Sequence, residues 1–403
     1  MTCNTVVLAL WVSPDLMKDP AFNEDLLKIG TICVGEVASR HDIDVGKGDR
    51  NVIIVGKDSS HVNMRLYVSH GLVTIDIYYM HETKNGTDKD MSEKTPSELL
   101  HIAACCPTAG VVAYERFITV NLTNKIKEYL GKKCVRFESM QTPIRRGDTV
   151  WRYFSTSDER LWEANYDELV FEKDSKWQNI RIYHSPEYGN TLHLDLDVMF
   201  AEGDTIYSET LLGVGSERRM DYTDKEVLIL GGGDGGLIHL LRQENCKMVT
   251  MCEIDEEVIN ACRTHLPKAC FDSMDEYEGP NHKIIIGDCV ELLIDDVATG
   301  KKYDVVVNDL TEFPVDINER VCVYDFKTAA LIMEMSLKLL KPGGRYLARG
   351  NCWGAKDYHE RFITDVEKLG CKWIRRYRRV PSFAEDYAHY EVWIPEMEEN
   401  HTS

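Results

Sequence analysis

Hydrophobic and polar positions divide the chain into three textures. In the first, apolar residues recur at helical intervals between Phe22 and Ser39, at Leu26, Leu27, Ile29, Ile32, Val34 and Val37. That spacing predicts a helix over the stretch. Short β-rich runs follow. Asn51–Gly56 is one, and His61–Val68 with Leu72–Tyr79 predicts a hairpin turning at Ser69-His70-Gly71. The polar stretch Glu82–Glu98 reads as a loop. Residues 1–140 therefore read as an α+β domain without a chemical motif of its own.

The second texture, residues 141–215, alternates apolar with polar positions in short runs punctuated by Pro186 and Gly189. It predicts a small antiparallel β module, followed by a helix over Asp204–Gly213. The third, residues 216–403, alternates strands with helices. Strands are expected at Glu226–Leu230, Met248–Cys252, Lys283–Ile286, Tyr303–Val307 and Arg345–Ala348. Helices are expected at Gly235–Gln243, Glu256–His265, Val290–Val297, Phe326–Leu340 and Asp357–Leu369. Two late strands, Trp373–Val380 and Ala388–Ile394, close it. That order predicts an α/β, doubly wound, mostly parallel sheet.

Composition narrows the partners. The chain has 67 acidic and 47 basic side chains, a formal net charge of −20. That excludes a sequence-independent nucleic-acid binder, which needs a basic face, and a polybasic membrane-surface protein. It suits cationic ligands. No apolar run is long enough to span a membrane, and no secretory signal is legible at the N-terminus. The 13 cysteines are scattered without a CxxC pair, which predicts free thiols in a reducing, cytoplasmic compartment and no zinc site. The basic strip Arg375-Arg376-Tyr377-Arg378-Arg379 reads as alternating strand faces paired with surplus carboxylates.

Chemistry concentrates in the third texture. Gly231, Gly233 and Gly236 fit G-x-G-x-x-G between an apolar strand and a helix, a turn through which a ligand can approach the backbone closely. Glu253 ends the second strand, where an acid can accept from a ribose diol. The pattern alone also fits a dinucleotide fold. However, Asp234 sits inside the glycine turn, where it would repel a pyrophosphate and welcome an amine or sulfonium. Asp288, in Gly287-Asp288-Cys289, ends the third strand and can accept from an adenine amino group. Asp309, in Asn308-Asp309-Leu310, ends the fourth. Acids at four successive strand ends line the crevice where such folds bind ligands.

These residues resemble the aminopropyltransferase family. Gly231-Gly-Gly-Asp-Gly-Gly236 looks like its glycine signature. Lys176-Trp-Gln-Asn-Ile180, Asp204 with Tyr207, Glu253-Ile-Asp255, Gly287-Asp288-Cys289, Asn308-Asp-Leu-Thr311 and Gly350-Asn-Cys352 also fit. Upstream, Asn63-Met-Arg-Leu-Tyr67 with His70-Gly-Leu72 is similar to the N-terminal dimerisation domain of animal spermine-forming members, which is folded like S-adenosylmethionine decarboxylase. The resemblance implies a Rossmann-like sheet of the S-adenosylmethionine-dependent methyltransferase type. It implies transfer of an aminopropyl group from decarboxylated S-adenosylmethionine, a co-substrate, with no cofactor and no metal. Asp309-Leu310-Thr311-Glu312 resembles the run of the spermine-forming type, with spermidine as acceptor. A putrescine-using spermidine synthase and a methyltransferase on the same sheet are the alternatives.

The resemblance also implies roles. Asp309 accepts the amine proton, Tyr207 positions the attacking nitrogen, and Asp234 binds the donor's amine or helps deprotonate the acceptor. Glu253, helped by Asp255, holds the ribose. Asp288 holds the adenine amine with Cys289 packed beside it, and Gln178 contacts donor or acceptor. Glu385 meets a distal ammonium. Phe383 stands where animal members tend to carry Tyr. Trp353 and Tyr387 could line the acceptor groove by cation–π contact, but they read as ordinary packing and are left outside the site. Homodimerisation through residues 1–140 is expected.

Overall fold

The computed structural model describes residues 2–34, 36–57, 60–81, 124–138, 144–146, 150–156, 160–195, 197–311, 313–316, 321–323 and 325–395. Contacts divide the chain into two compact units, Met1–Thr149 and Val150–Ser403. The expected loop Glu82–Glu98, the pair Cys105-Cys106, and Glu312 lie outside the described residues.

The first unit is built on one antiparallel sheet. Its order is Val37–Gly46, Asp49–Gly56, His61–Tyr67, Leu72–His81, Thr2–Val12 and Cys134–Phe137, with Ile144–Arg146 also pairing with Thr2–Val12. Alternate residues Val52, Ile54, Val62, Met64, Val73 and Ile75 are fully buried against helix Pro20–Val34, which contributes Leu26 and Ile29. The expected hairpin forms, with Gly71 in the left-handed region at its turn. The expected helix over Phe22–Ser39 is shorter. It ends at Val34, before Gly35 in the sequence, and Val37 starts the edge strand. The β-branched alternation Val37–Ile43–Val45 pairs along Asp49–Gly56 instead of continuing the helix.

The second unit opens with an antiparallel ribbon, Tyr153–Ser155 with Leu161–Glu163. A four-stranded antiparallel sheet follows, from Glu168–Asp174, Asn179–Ser185, Gly189–Leu194 and Asp197–Ala201. Then comes a seven-stranded sheet. Its strands are β1 (Glu226–Gly231), β2 (Met248–Glu253), β3 (His282–Ile286), β4 (Tyr303–Asp309), β5 (Leu340–Cys352), β6 (Lys372–Val380) and β7 (Glu385–Trp393). Their spatial order is β3-β2-β1-β4-β5-β7-β6, parallel except for β7. The Rossmann-like, methyltransferase-type sheet expected from the sequence is the fold observed. Near-continuous apolar strands follow from coverage of both faces: Val227 and Ile229 face one core, Leu228 and Leu230 the other. The order reverses between β1 and β4, so the carboxyl ends of these strands open a crevice. A ribbon of Phe313–Asp316 with Val321–Val323, unforeseen from the sequence, follows β4.

One arginine of the basic strip on β6 pairs with a carboxylate, and Arg378 and Arg379 are exposed. Arg376 meets the buried Glu391 at 2.9 Å, and Arg375 lies over the Tyr377 and Tyr390 rings. Cys33, Cys246, Cys252, Cys262, Cys270, Cys289, Cys352 and Cys371 are buried free thiols, and Cys134 is a half-buried one. Among the described residues, no helix is long and apolar enough to cross a membrane.

One buried carboxylate ties distant segments together. Asp204, fully buried, precedes helix Thr205–Leu211. It accepts from the Ala201 amide at 2.8 Å, the Ser382 amide at 3.1 Å and the Ser382 hydroxyl. Asp204→Ala leaves those donors unsatisfied in the interior. We expect a loss of about 2–4 kcal/mol, read as a lower denaturation midpoint at unchanged slope. A shift below about 0.5 kcal/mol would refute this role.

Candidate active site

The glycine turn after β1 is shaped by contacts that a side chain would break. Gly231 has φ +80°, and a Cβ there would stand 3.0 Å from the Asp309 carbonyl oxygen. A Cβ on Gly233 would stand 2.9 Å from the Glu253 carboxylate. The turn therefore packs backbone against two acids at once. Asp234 lies within it and accepts from the Gly236 amide at 2.8 Å.

A cavity of about 100 Å³ opens over this turn. It is lined by Gly231, Gly232, Gly233, Asp234, Glu253 and Asp309, with Tyr207 and Gln178 opposite. The chain thus gathers seven of the expected site residues in one place: Gln178, Tyr207, Gly231, Gly233, Asp234, Glu253 and Asp309. Tyr207 donates its hydroxyl to Asp309 Oδ1 at 2.5 Å. Its ring is buried edge-on against Phe200 and Phe383. Burial raises the pKa of Asp309, and the neighbouring Asp234 charge raises it further, while Arg349 and the Tyr207 hydroxyl oppose that rise. Burial raises Asp234 as well, so the two acids share negative charge reluctantly. Burial lifts Glu253 to about 7. Its two oxygens accept the Gly233 amide at 3.1 Å and the Asp255 amide at 3.0 Å. Each oxygen retains a lone pair for a diol.

Asp255 corrects an expectation. Its carboxylate caps helix Glu256–His265 through the Glu257 amide and accepts from Ser175 at 2.6 Å and Gln178 at 3.0 Å. It is buried and absent from the cavity wall. It orients Gln178 rather than reaching a ribose. Asp288 and Cys289 also lie outside that wall. Asp288 is an exposed helix cap, accepting the Val290 amide at 2.8 Å. Cys289 is buried in the core beside Cys252. Both occupy the carboxyl side of β3, farther along the crevice from Asp309.

Glu385 lines a second, larger cavity of about 620 Å³. Phe383, Tyr387, Asp197 and Trp162 share its wall, and Thr311, Leu310 and Arg349 belong to both cavities. Three wall residues lie outside the expected site set. Asp197 follows a strand-end Asp195 and reads as turn polarity. Tyr387 read as packing, yet it faces the cavity and accepts a hydrogen bond from Arg349. Arg349 sits in an apolar strand run, Tyr346-Leu347-Ala348, where only its position beside Asp309 reveals it. Trp353 is 64% exposed and lines neither cavity. Among the described residues, no group of three or more His, Cys, Asp or Glu side chains could hold a metal.

These carboxylates oppose folding at alkaline pH. A carboxyl raised above its unfolded pKa contributes stability that is complete at low pH and lost as pH rises through its folded value. Asparagine at 309 can still accept from Tyr207 but carries no charge. Asp309→Asn should therefore be more stable than the parent at pH 8, by about 1–2 kcal/mol. The difference should shrink toward pH 4. Melting curves at the two pH values check this, and a variant less stable at pH 8 would contradict it.

Residues 204–401 match the spermine/spermidine synthase domain, and residues 151–202 match the spermidine synthase tetramerisation domain. The polyamine aminopropyltransferase of Yersinia pestis (strain Pestoides F) is 30% identical over 214 residues, covering 50% of this chain and 67% of that protein. The polyamine aminopropyltransferase of Yersinia pseudotuberculosis serotype O:1b (strain IP 31758) is 29% identical over the same shares. A crystal structure of spermidine synthase from Thermotoga maritima has a TM-score of 0.49 at 20% identity, covering 61% of this chain and 79% of that one. The chain belongs to the spermine/spermidine synthase family of polyamine aminopropyltransferases.

Proposed function

We propose that this aminopropyltransferase uses decarboxylated S-adenosylmethionine as donor and spermidine as acceptor, giving spermine and methylthioadenosine. The observation that carries the reading is the acidic crevice continuing from Asp309 into a cavity of about 620 Å³ walled by Asp197 and Glu385. That volume, with carboxylates on its wall, suits an acceptor with several ammonium groups. The aromatic rings of Phe383, Tyr387 and Trp162 favour cations with alkyl stems. Putrescine, shorter and with two amines, would leave part of this wall unused.

The reaction forms one bond and breaks one. The acceptor nitrogen attacks the aminopropyl carbon next to the sulfonium. The carbon–sulfur pair leaves with sulfur as a neutral thioether, and the proton released from nitrogen goes to Asp309. A sulfonium is already a good leaving group, so the obstacle is the nucleophile. An alkyl amine with pKa near ~10.4 is neutral about once in 10³ molecules at physiological pH, equivalent to roughly 4 kcal/mol. Tyr207, fixed by Asp309 and by its packing, aims the nitrogen. Asp234 faces the donor's amine, a role that disfavours a donor still carrying its carboxylate. Glu253 holds the ribose diol, and Gln178, oriented by Asp255, supports the donor's other side. Asp288 would serve the adenine amine where β3 ends.

Incubation with the donor and either spermidine or putrescine tests this reading. Faster turnover of putrescine, as kcat/KM, would overturn the acceptor assignment. Asp309→Asn should lower kcat by at least ~10²-fold. Unchanged turnover would remove Asp309 from the role of proton acceptor.

We also infer a homodimer joined through residues 1–140. Its support is the edge strand Val37–Gly46, exposed along nearly its whole length with Ile43 and Val45 outward, which offers pairing groups to a second copy. Deleting residues 1–140 should give monomers in sedimentation. A truncated chain that still assembles would place the contact in residues 151–202 instead.

A further inference from the structure

An acidic crevice creates a problem for the reaction it serves. Carboxylates draw a polyamine in, but they also stabilise its ammonium form and raise its pKa. The nitrogen that attacks has to be neutral. Asp234 and Asp309 together would hold it protonated at the very point of attack.

Arg349 stands at that point. It is the one Lys or Arg among the described lining residues of either cavity, and it belongs to both walls. Its guanidinium donates to the Tyr387 hydroxyl and lies 5.4 Å from that ring's centre. The surrounding charged and titratable groups come from every neighbouring element, including Glu253 at the end of β2 and Tyr358 and Asp365 of helix Lys356–Lys368, Tyr358 donating to the Arg349 carbonyl at 3.4 Å. Asp309 comes from β4, Asp234 from the glycine turn and Tyr207 from helix Thr205–Leu211. Asp197 comes from its strand, and Glu385, Tyr387 and His389 come from β7. His389 is buried and neutral, its pKa pushed down to about 3 by burial and then by Arg349 and Arg376. It adds no charge. Asp197 and Glu385 lie in the larger cavity and not in the donor cavity.

We propose that Arg349 is a positioning residue whose fixed positive charge keeps the attacking amine neutral and Asp309 ionised, while Asp197 and Glu385 hold the acceptor's distal ammonium groups. This rests on the amine-acceptor reading above. The charge pattern is a gradient: positive at the point of attack, negative along the outer cavity. An acceptor entering with its charged end inward meets Arg349, whereas a neutral amine does not. The same charge gives Asp309 a counter-ion, so it can take the proton once the carbon–nitrogen bond forms.

The test is the pH profile of kcat for Arg349→Gln and Arg349→Lys. Removing the charge should move the acid limb up by about one pH unit, a roughly tenfold loss at pH 7 that recovers near pH 9. Arg349→Lys should keep the limb near its parent position. An equal loss at every pH, or a limb that stays put in Arg349→Gln, would overturn the proposal in favour of a packing role. A second measurement needs no variant. Calorimetric titration of spermidine into the parent enzyme saturated with methylthioadenosine, in buffers of different ionisation enthalpy, should show release of about one proton near pH 7.5. Binding without proton release would overturn the proposal even if Arg349→Gln failed to fold. Failure of the underlying reading is distinguishable, because the parent enzyme would then transfer no aminopropyl group to spermidine at any pH.

Discussion

The buried carboxylate of Asp204 fixes the geometry on which the crevice depends. It joins the start of helix Thr205–Leu211 to Ser382, 178 residues later. Tyr207 follows one turn after Asp204, and Phe383 and Glu385 follow directly after Ser382. Moving either segment would separate the residue that contacts Asp309 from the residues that wall the outer cavity. A charge this deeply buried needs full hydrogen bonding to persist. Three donors supply it, and burial still raises its pKa. The fold thus accepts one costly interior group to keep two halves of a site in register.

A second constraint comes from the parallel sheet. Register places Gly231 beside Asp309 across β1 and β4, and Glu253 beside Ile286 across β2 and β3. Carboxylates at successive strand ends are therefore brought together by pairing, whatever else surrounds them. Their mutual repulsion and burial oppose folding in the unliganded protein. Bound cations would relieve both effects, so the energy that destabilises the free site favours a charged ligand. The acidic composition acquires a location here, although most of the 67 acids lie elsewhere.

The sequence made this sheet legible because its signals are local. Apolar runs such as Val227–Leu230, the glycine turn and the caps at Asp255 and Asp288 each act within a few residues. Capping also explains where sequence reasoning overreached. Asp255 is an acid at a strand end, yet its carboxylate satisfies a helix amide and holds Gln178, a use that looks the same in one dimension. Asp309 has no such helix and is free to meet Tyr207. The helix predicted to Ser39 failed for a related reason: Val37 fits a helical interval after Val34 and also the strand alternation with Ile43 and Val45, until Gly35 is weighed as a stop. The ribbon after β4 and Asp197 were not foreseen, since strands this short carry little periodicity.

Arg349 was illegible for a different reason. A lone arginine in an apolar strand normally turns its charge to solvent along its aliphatic stem. At 349 the neighbouring β7 places Tyr387 and His389 alongside, and β4 places Asp309 across, so the guanidinium is retained inside. Neither contact is local: Tyr387 is 38 residues away and Asp309 is 40 residues before it. Burial of a cation is tolerated here because anions surround it. Its charge, in turn, opposes the rise in pKa that burial imposes on Asp309 and Asp234. That mutual dependence is a property of the assembled strand ends, and no single segment of sequence contains it.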